Sequence, residues 1–116
     1  MKLPWPPSMN HYWRRNPRGG MLISKEGRVY KEAVIKECMA QSPRTWPNER
    51  LHIAITMHPP DRRKRDIDNL LKPILDALEG AGIMGNDNQI DKLCIERHSI
   101  SKGDGYIIVA IKEMTP

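Results

Sequence analysis

From Leu51 to Met57 the side chains alternate without a break: Leu51, Ile53, Ile55 and Met57 fall on one side, His52, Ala54 and Thr56 on the other. A period of two over this length is the pattern of a half-buried strand, whose apolar face needs a second layer to cover it. Two segments of helical period can supply that layer. Ser24 is a good N-cap for a helix running to about Ala40, with Val29, Ala33, Val34 and Cys38, flanked by Tyr30, on its apolar side, and Ser42-Pro43 as its stop. Leu71, Ile74, Leu75 and Leu78 sit at i, i+3, i+4 and i+7 and predict a second helix over about Leu71 to Ala81, closed by Gly82 and Gly85. Lys2 to Trp5 reads as a short strand broken by Pro6-Pro7. Cys94 to Ile100 and Tyr106 to Lys112 read as two strands about a Lys102-Gly103-Asp104-Gly105 hairpin turn. The order β-α-β-α-β-β predicts an α+β two-layer sandwich, with both helices on one face of a small mixed or antiparallel sheet. At 116 residues the chain has the length of one domain.

Such a sandwich has only a modest core. Phe is absent and hydrophobic residues make up 39%, so packing rests on Ile, Leu, Val and Met, and burial against a second copy would add stability. Nineteen Lys and Arg against fourteen Asp and Glu give a net charge of +5, a balance suited to a polyanion such as nucleic acid. Cys38 and Cys94 stand in no zinc-binding spacing. With no signal-peptide pattern after Met1 and no apolar run of membrane-spanning length, they point to a cytoplasmic protein that does not engage a membrane.

The chemistry concentrates between Pro59 and Asp91. Four cations, Arg62, Arg63, Lys64 and Arg65, run directly into Asp66-Ile67-Asp68. By itself the run is as well read as a solvated face. Placed before two carboxylates, it suits a phosphate backbone held against a carboxylate-bound metal. In an extended segment Asp66 and Asp68 would project to the same side, and hard Mg²⁺ prefers such oxygen donors. Pro73 bears on the backbone here, because proline is tolerated in the first helical turn and disfavours helical geometry in the residue before it. Either the regular helix begins near Leu70 to Lys72, or it begins earlier and kinks; the first case is preferred, and it leaves both aspartates on irregular backbone ahead of the helix. Lys72 then finds no favourable dipole; a salt bridge or plain solvation accounts for it adequately, and next to a carboxylate pair a phosphate contact accounts for it better.

Other residues carry weaker signals. The segment Ser8 to Gly20 reads as a polar loop in which Tyr12 and Trp13 stand beside Arg14 and Arg15, a mixture able to stack on bases and pair with phosphates. Trp5 reads as packing, Asp76 and Glu79 as solvated, and Asp61 as an orienting partner for the basic run. His11, His52, His58 and His98 form no metal spacing.

The segment Asp66-Ile67-Asp68-Asn69-Leu70-Leu71-Lys72, then Asp76-Ala77-Leu78 and Asn86-Asp87-Asn88-Gln89-Ile90, resembles the RusA family of Holliday junction endonucleases. So do the opening Leu3-Pro4-Trp5-Pro6-Pro7-Ser8-Met9-Asn10 and the later Ser24-Lys25-Glu26-Gly27-Arg28-Val29-Tyr30. The likeness covers nearly the whole chain, in order, as one RusA-like domain over 1–116. It implies metal ligation by Asp66, Asp68 and Asp87, with Lys72 as the catalytic cation. It further implies Mg²⁺, a homodimer and a four-way DNA junction as substrate, with Arg14, Arg15, Arg62, Arg63, Lys64, Arg65 and Asn69 as the candidate DNA contacts. Asn86 departs from the Asp that often stands first in the family's acidic pair.

Two functions of different class remain: a junction-resolving endonuclease of recombination and repair, and a non-catalytic architectural protein that binds junctions or other DNA. Carboxylates cost DNA affinity unless a metal offsets them, which favours the enzyme. A further alternative concerns Asp87. The helix carries the chain roughly 16 Å away from Asp66 and Asp68, and the return from Gly82 spans at most ~20 Å. Asp87 therefore returns to its own chain's aspartates only with difficulty, and supply by a two-fold partner is the other arrangement.

Overall fold

The computed structural model describes residues 1–115. It has an α+β architecture built on a four-stranded sheet, with strands β1 (Lys2–Pro4), β4 (Leu51–His58), β5 (Ile90–Arg97) and β6 (Tyr106–Glu113). Helices α2 (Lys25–Gln41) and α3 (Asp68–Gly80) pack together, and their buried residues join those of the sheet in one core. The alternating segment behaves as its pattern demands. Leu51, Ile53, Ile55 and Met57 are each at most 1% exposed, whereas His52, Ala54, Thr56 and His58 are half-exposed on the other face. In α3 the apolar stripe buries Ile74, Leu75 and Leu78 together with Leu70, Pro73 and Ala77, while Leu71 is only half-buried. Among the described residues no helix is long and apolar enough to cross a membrane.

The sheet is mixed, in the order β1-β6-β4-β5. β4 pairs in parallel with β5 and antiparallel with β6, so β5 and β6 flank it on opposite sides and do not form the expected hairpin. β5 also begins earlier than Cys94, at Ile90. Both differences have one cause. The return from α3 delivers Ile90 beside Leu51, and a strand that re-enters after a helical crossover runs parallel to the one before it. The link from β5 to β6 then passes the end of β4, held by Ser101 N–H on the Pro59 carbonyl (2.8 Å) and Gly103 N–H on the Pro60 carbonyl (3.0 Å). Gly105 is required there: its φ is +61°, and a Cβ would meet the Pro60 ring at 2.7 Å.

The segment Ser8 to Gly20 is also more ordered than a polar loop. A single helical turn, α1 (Met9–Tyr12), leads into a hairpin of β2 (Trp13–Arg15) and β3 (Met21–Ile23). Tyr12 anchors it, fully buried. Gly27 of α2 lies so close that a Cβ would stand 2.5 Å from the Tyr12 carbonyl oxygen. That close approach selects the buried face of α2. Gly27, Tyr30, Val34 and Cys38 point inward, and Val29, expected on the apolar face, is 56% exposed.

Candidate active site

The chain begins to wind at Asp66, earlier than Pro73 implied. Ile67 is already helical (φ −57°, ψ −42°), Asn69 N–H donates to the Asp66 carbonyl (3.2 Å) and Leu70 N–H to the Ile67 carbonyl (3.1 Å). These i→i+3 bonds make a tight first turn. α3 runs through Pro73, whose ring is buried and whose missing N–H leaves the Asn69 carbonyl without its usual helical donor. Asp68 therefore stands in the first turn and not ahead of the helix. On a winding backbone, residues two apart diverge by roughly 200°, so the shared side expected for Asp66 and Asp68 from extended geometry does not arise. Both are exposed, and among the described residues neither carboxylate takes part in an ion pair or side-chain hydrogen bond.

Lys72 lies one turn beyond Asp68, at the i,i+4 spacing that puts two side chains on one face. Its Nζ donates to Asp87 Oδ2 at 2.7 Å in the same chain. This hydrogen bond, reinforced by the charges of Asp87, Glu79 and Asp76 against partial burial, holds the ammonium above the usual lysine range. Asp87 reaches Lys72 because the return is folded and not stretched: Gly82 turns with φ +75°, and a 3-10 helix (Asp87–Gln89) comes back alongside α3. The Asp87 N–H donates to Glu79 Oε1 at 2.6 Å. Asn86 caps the turn, its side chain accepting from Asn88 N–H (2.9 Å) while Gln89 Oε1 accepts from Asn86 N–H (2.9 Å) and Gly85 N–H (2.7 Å). Gln89, 5% exposed, donates onward to the carbonyls of Trp46 and Glu49 at 2.9 and 3.0 Å.

Asp76 and Glu79 are thus structural partners and not solvated charges. Asp76 accepts from the Tyr12 hydroxyl and lies 3.7 Å from Lys31 Nζ. Burial, helped by the bond and charge of Asp76, raises the Tyr12 phenol far above its usual value. Buried and bonded in this way, Tyr12 is not available to stack on a base. Trp13 stays half-buried, edge-on to Tyr12 at 5.0 Å. The sequence does place Asp76 and Glu79 at helical spacing from Lys72, which was the available signal for a shared face.

The basic run divides into held and open members. Asp61 pairs with Arg65 (2.8 Å) and Arg63 (3.6 Å), and the Arg63 N–H on its carboxylate, with both guanidiniums, holds Asp61 below the usual carboxylate range. Arg65 is further placed over the Trp5 ring at 5.5 Å, and Arg97 donates to its carbonyl. Arg62 and Lys64 are exposed and make no side-chain pair among the described residues; the same holds for Arg14 and Arg15 on β2. Asn69 is half-buried in the first turn of α3, its amide without a partner among the described residues.

For a divalent cation the donor chemistry fits. Asp66 and Asp68 offer unpaired carboxylates, and Asp87 offers a third that Lys72 now engages. The three are not gathered into one ligand cluster: among the described residues no group of three or more His, Cys, Asp or Glu side chains stands at metal-holding distance.

Residues 4–112 match the family model described as Endodeoxyribonuclease RusA. The chain is 42% identical over 115 residues, 97% of its own length and 92% of the relative's, to a Shigella sonnei protein named crossover junction endodeoxyribonuclease RusA. Proteins of the same name from Escherichia coli (41%) and Enterobacteria phage 82 (42%) match over the same shares. With its matching segments in place on α3 and on the turn that returns to it, the chain belongs to the RusA endodeoxyribonuclease family.

Proposed function

We propose that this protein is a Mg²⁺-dependent endonuclease that resolves Holliday junctions by paired nicks in DNA recombination and repair, acting in the cytoplasm as a homodimer with one catalytic domain, 1–116, in each chain. The observation that carries this reading is the Lys72–Asp87 pair, set one helical turn from the free Asp68 and following a basic run in which Arg62 and Lys64 are open. Asp66, Asp68 and Asp87 are the residues that would hold the metal. Bound there, Mg²⁺ supplies a Lewis acid for the scissile phosphate and lowers the pKa of an attacking water. Lys72, its ammonium positioned by the hydrogen bond to Asp87, offers its charge to the phosphate oxygens as negative charge grows on them. Arg62, Arg63, Lys64 and Arg65, with Arg14 and Arg15 on the hairpin, hold the backbone of the arms, and Asn69 adds a neutral contact. Two such sites related by a two-fold axis would nick opposed strands of one four-way junction.

A four-way junction incubated with and without Mg²⁺ tests the reading. Paired, symmetrical nicks that need the metal are expected; binding without cutting under both conditions would overturn it in favour of a non-catalytic architectural protein. The role of the basic run is checked in the same system. Replacing Arg62 and Arg63 by Ala should lower the log–log salt slope on duplex arms by ~0.9 for each phosphate that is no longer neutralised.

A further inference from the structure

His58 and His98 stand in no metal spacing along the chain, yet the sheet makes them neighbours. β4 and β5 run parallel with Thr56 beside Glu96, and the His98 N–H continues the ladder onto the Met57 carbonyl (2.8 Å). His58, Glu96 and His98 therefore share the sheet face opposite the buried one, with Glu96 and His98 two residues apart on one strand. The two imidazole rings lie 5.8 Å apart between centroids. His58 is held by stacking on Tyr106 (4.5 Å, 20° between planes), whose ring also carries the Lys2 ammonium at 4.4 Å.

The hydrogen bonds decide which ring nitrogens are left over. His58 Nδ1 is 2.9 Å from the Ser99 carbonyl oxygen, and His98 Nε2 is 2.9 Å from Glu96 Oε2. A carbonyl and a carboxylate can only accept, so both of these nitrogens are the donors. In a neutral imidazole the other nitrogen then bears a lone pair. Those nitrogens, His58 Nε2 and His98 Nδ1, have no partner among the described residues. One nitrogen donating to a carbonyl or carboxylate while the other stays bare is the arrangement that orients a metal-binding histidine. Two imidazoles on one ion, at metal–nitrogen distances of ~2.0–2.1 Å, place their centroids roughly 5–6 Å apart, which matches the observed spacing. Mg²⁺ prefers oxygen donors, whereas paired imidazoles select Zn²⁺, Ni²⁺ or Cu²⁺.

We propose that His58 and His98 bind one imidazole-preferring transition-metal cation per chain, of the Zn²⁺ class, at a site separate from the aspartates assigned to Mg²⁺. Glu96 orients His98, and water completes the coordination. The ion ties the end of β4 to the end of β5, where the chain enters the segment that bears the basic run. The site does not rest on the endonuclease reading, and its test does not measure cutting.

The test titrates Zn²⁺ calorimetrically into the wild type, His58→Gln, His98→Gln and Glu96→Ala, all in excess Mg²⁺ so that sites built from oxygen donors are occupied. The wild type should bind an equivalent of Zn²⁺ that both histidine variants lose. Glu96→Ala should weaken that equivalent by about tenfold, as for loss of a ligand's orienting partner. An ion that binds only the folded chain stabilises it by mass action, so Zn²⁺ should raise the urea midpoint of the wild type by more than that of His98→Gln. Binding undiminished by either histidine substitution, or equal rises in the two midpoints, overturns the proposal. Should His58→Gln not fold, electron paramagnetic resonance of one equivalent of Cu²⁺ on the wild type decides the matter. Coupling to two imidazole nitrogens is expected, and coupling to one or none overturns the proposal.

Discussion

Asp66 and Asp68, at the opening of α3, stand exposed with no partner among the described residues, whereas Asp76 and Asp87 are each held from two sides. Asp76 takes the Tyr12 hydroxyl and faces Lys31; Asp87 is fixed by Lys72 at its carboxylate and by Glu79 at its backbone. These four aspartates, at one helix and its return segment, therefore divide into two kinds. The free pair is left for something the protein does not itself supply. The held pair sets the position of a lysine and of a turn. A carboxylate that repels DNA and stabilises nothing nearby is costly to keep in a basic, DNA-directed protein, and a bound cation is the natural offset. Asp68 has one favourable interaction of its own, with the helix dipole in the first turn, worth about 0.3–1 kcal/mol.

The largest effect follows from removing either kind of acid from the proposed ligand set. Asp66→Asn, Asp68→Asn and Asp87→Asn should each abolish nicking in the presence of Mg²⁺, with junction binding in a gel-shift assay unchanged or tighter because a negative charge is removed. Normal cutting by any one of them would remove that residue from the set. The two kinds separate in stability: Asp66→Asn, whose side chain has no partner to give up, should stay within about 0.5 kcal/mol of wild type in urea, and Asp68→Asn should lose no more than the about 0.3–1 kcal/mol of its dipole interaction.

Lys72→Ala comes next, with turnover down on the order of a hundredfold, as for loss of a positioned electrostatic group. Its pairing with Asp87 also carries a pH signature. The ammonium is raised above the unfolded lysine value, so the pair's contribution to stability is complete below about pH 10.4 and is lost as pH rises through the folded value. The stability difference between wild type and Asp87→Asn should therefore narrow above that pH; a difference constant up to about pH 11.5 would show that the pair does not form in solution.

A smaller effect is expected of Glu79, which touches no substrate and acts by fixing the Asp87 backbone. Glu79→Ala should slow nicking by on the order of fivefold, the equivalent of one hydrogen bond. Glu79→Gln should restore the rate, because an amide oxygen accepts the same N–H. Equal loss in both variants would assign Glu79 an electrostatic role in place of a positioning one.

How much of this could be read from the chain divides along the same line as the carboxylates. The alternation of Leu51–Met57 and the stripe of Ile74, Leu75 and Leu78 are local patterns of burial, and they give the strand, the helix and the α+β layering directly. The pairing of β5 with β4 is not local. It depends on where the return from α3 delivers Ile90, which no period in Cys94–Ile100 encodes. Pro73 misled about the helix start because a tight i→i+3 first turn lets the winding begin at Asp66 with the proline already inside. Asp66, Asp68 and Lys72 could be put forward as candidates from residue type and position, and Asp87 only from the family resemblance; the bond that joins Lys72 to Asp87 is a product of the fold. Tyr12, Asp76, Glu79 and Gln89 could not, since each acquires its role from a partner brought in by tertiary folding; Tyr12 and Asp76 stand 64 residues apart.

The smallest expected effect is none at all, and it decides whether one site is built from one chain. Length alone lets Asp87 regain Asp66 and Asp68 only at full stretch, which makes a partner's Asp87 an equal alternative. The stretch does not arise. α3 ends at Gly80, the chain turns at Gly82, and the 3-10 helix brings Asp87 back to the Lys72 of its own chain at 2.7 Å. Lys72 in turn shares a face with Asp68 one turn away. For a partner's Asp87 to serve this site, each chain would first have to release its own, breaking the Lys72 pair and the Glu79 bond in both copies. Mixing Asp66→Asn protein with Asp87→Asn protein should therefore restore no nicking: in every mixed dimer each site lacks one acid. Mixed dimers are verified by tags of different size on the two variants. Recovery of single nicks from such dimers would mean that each site draws Asp87 from the other chain, and the in-chain bond to Lys72 would then describe only the unassembled protein.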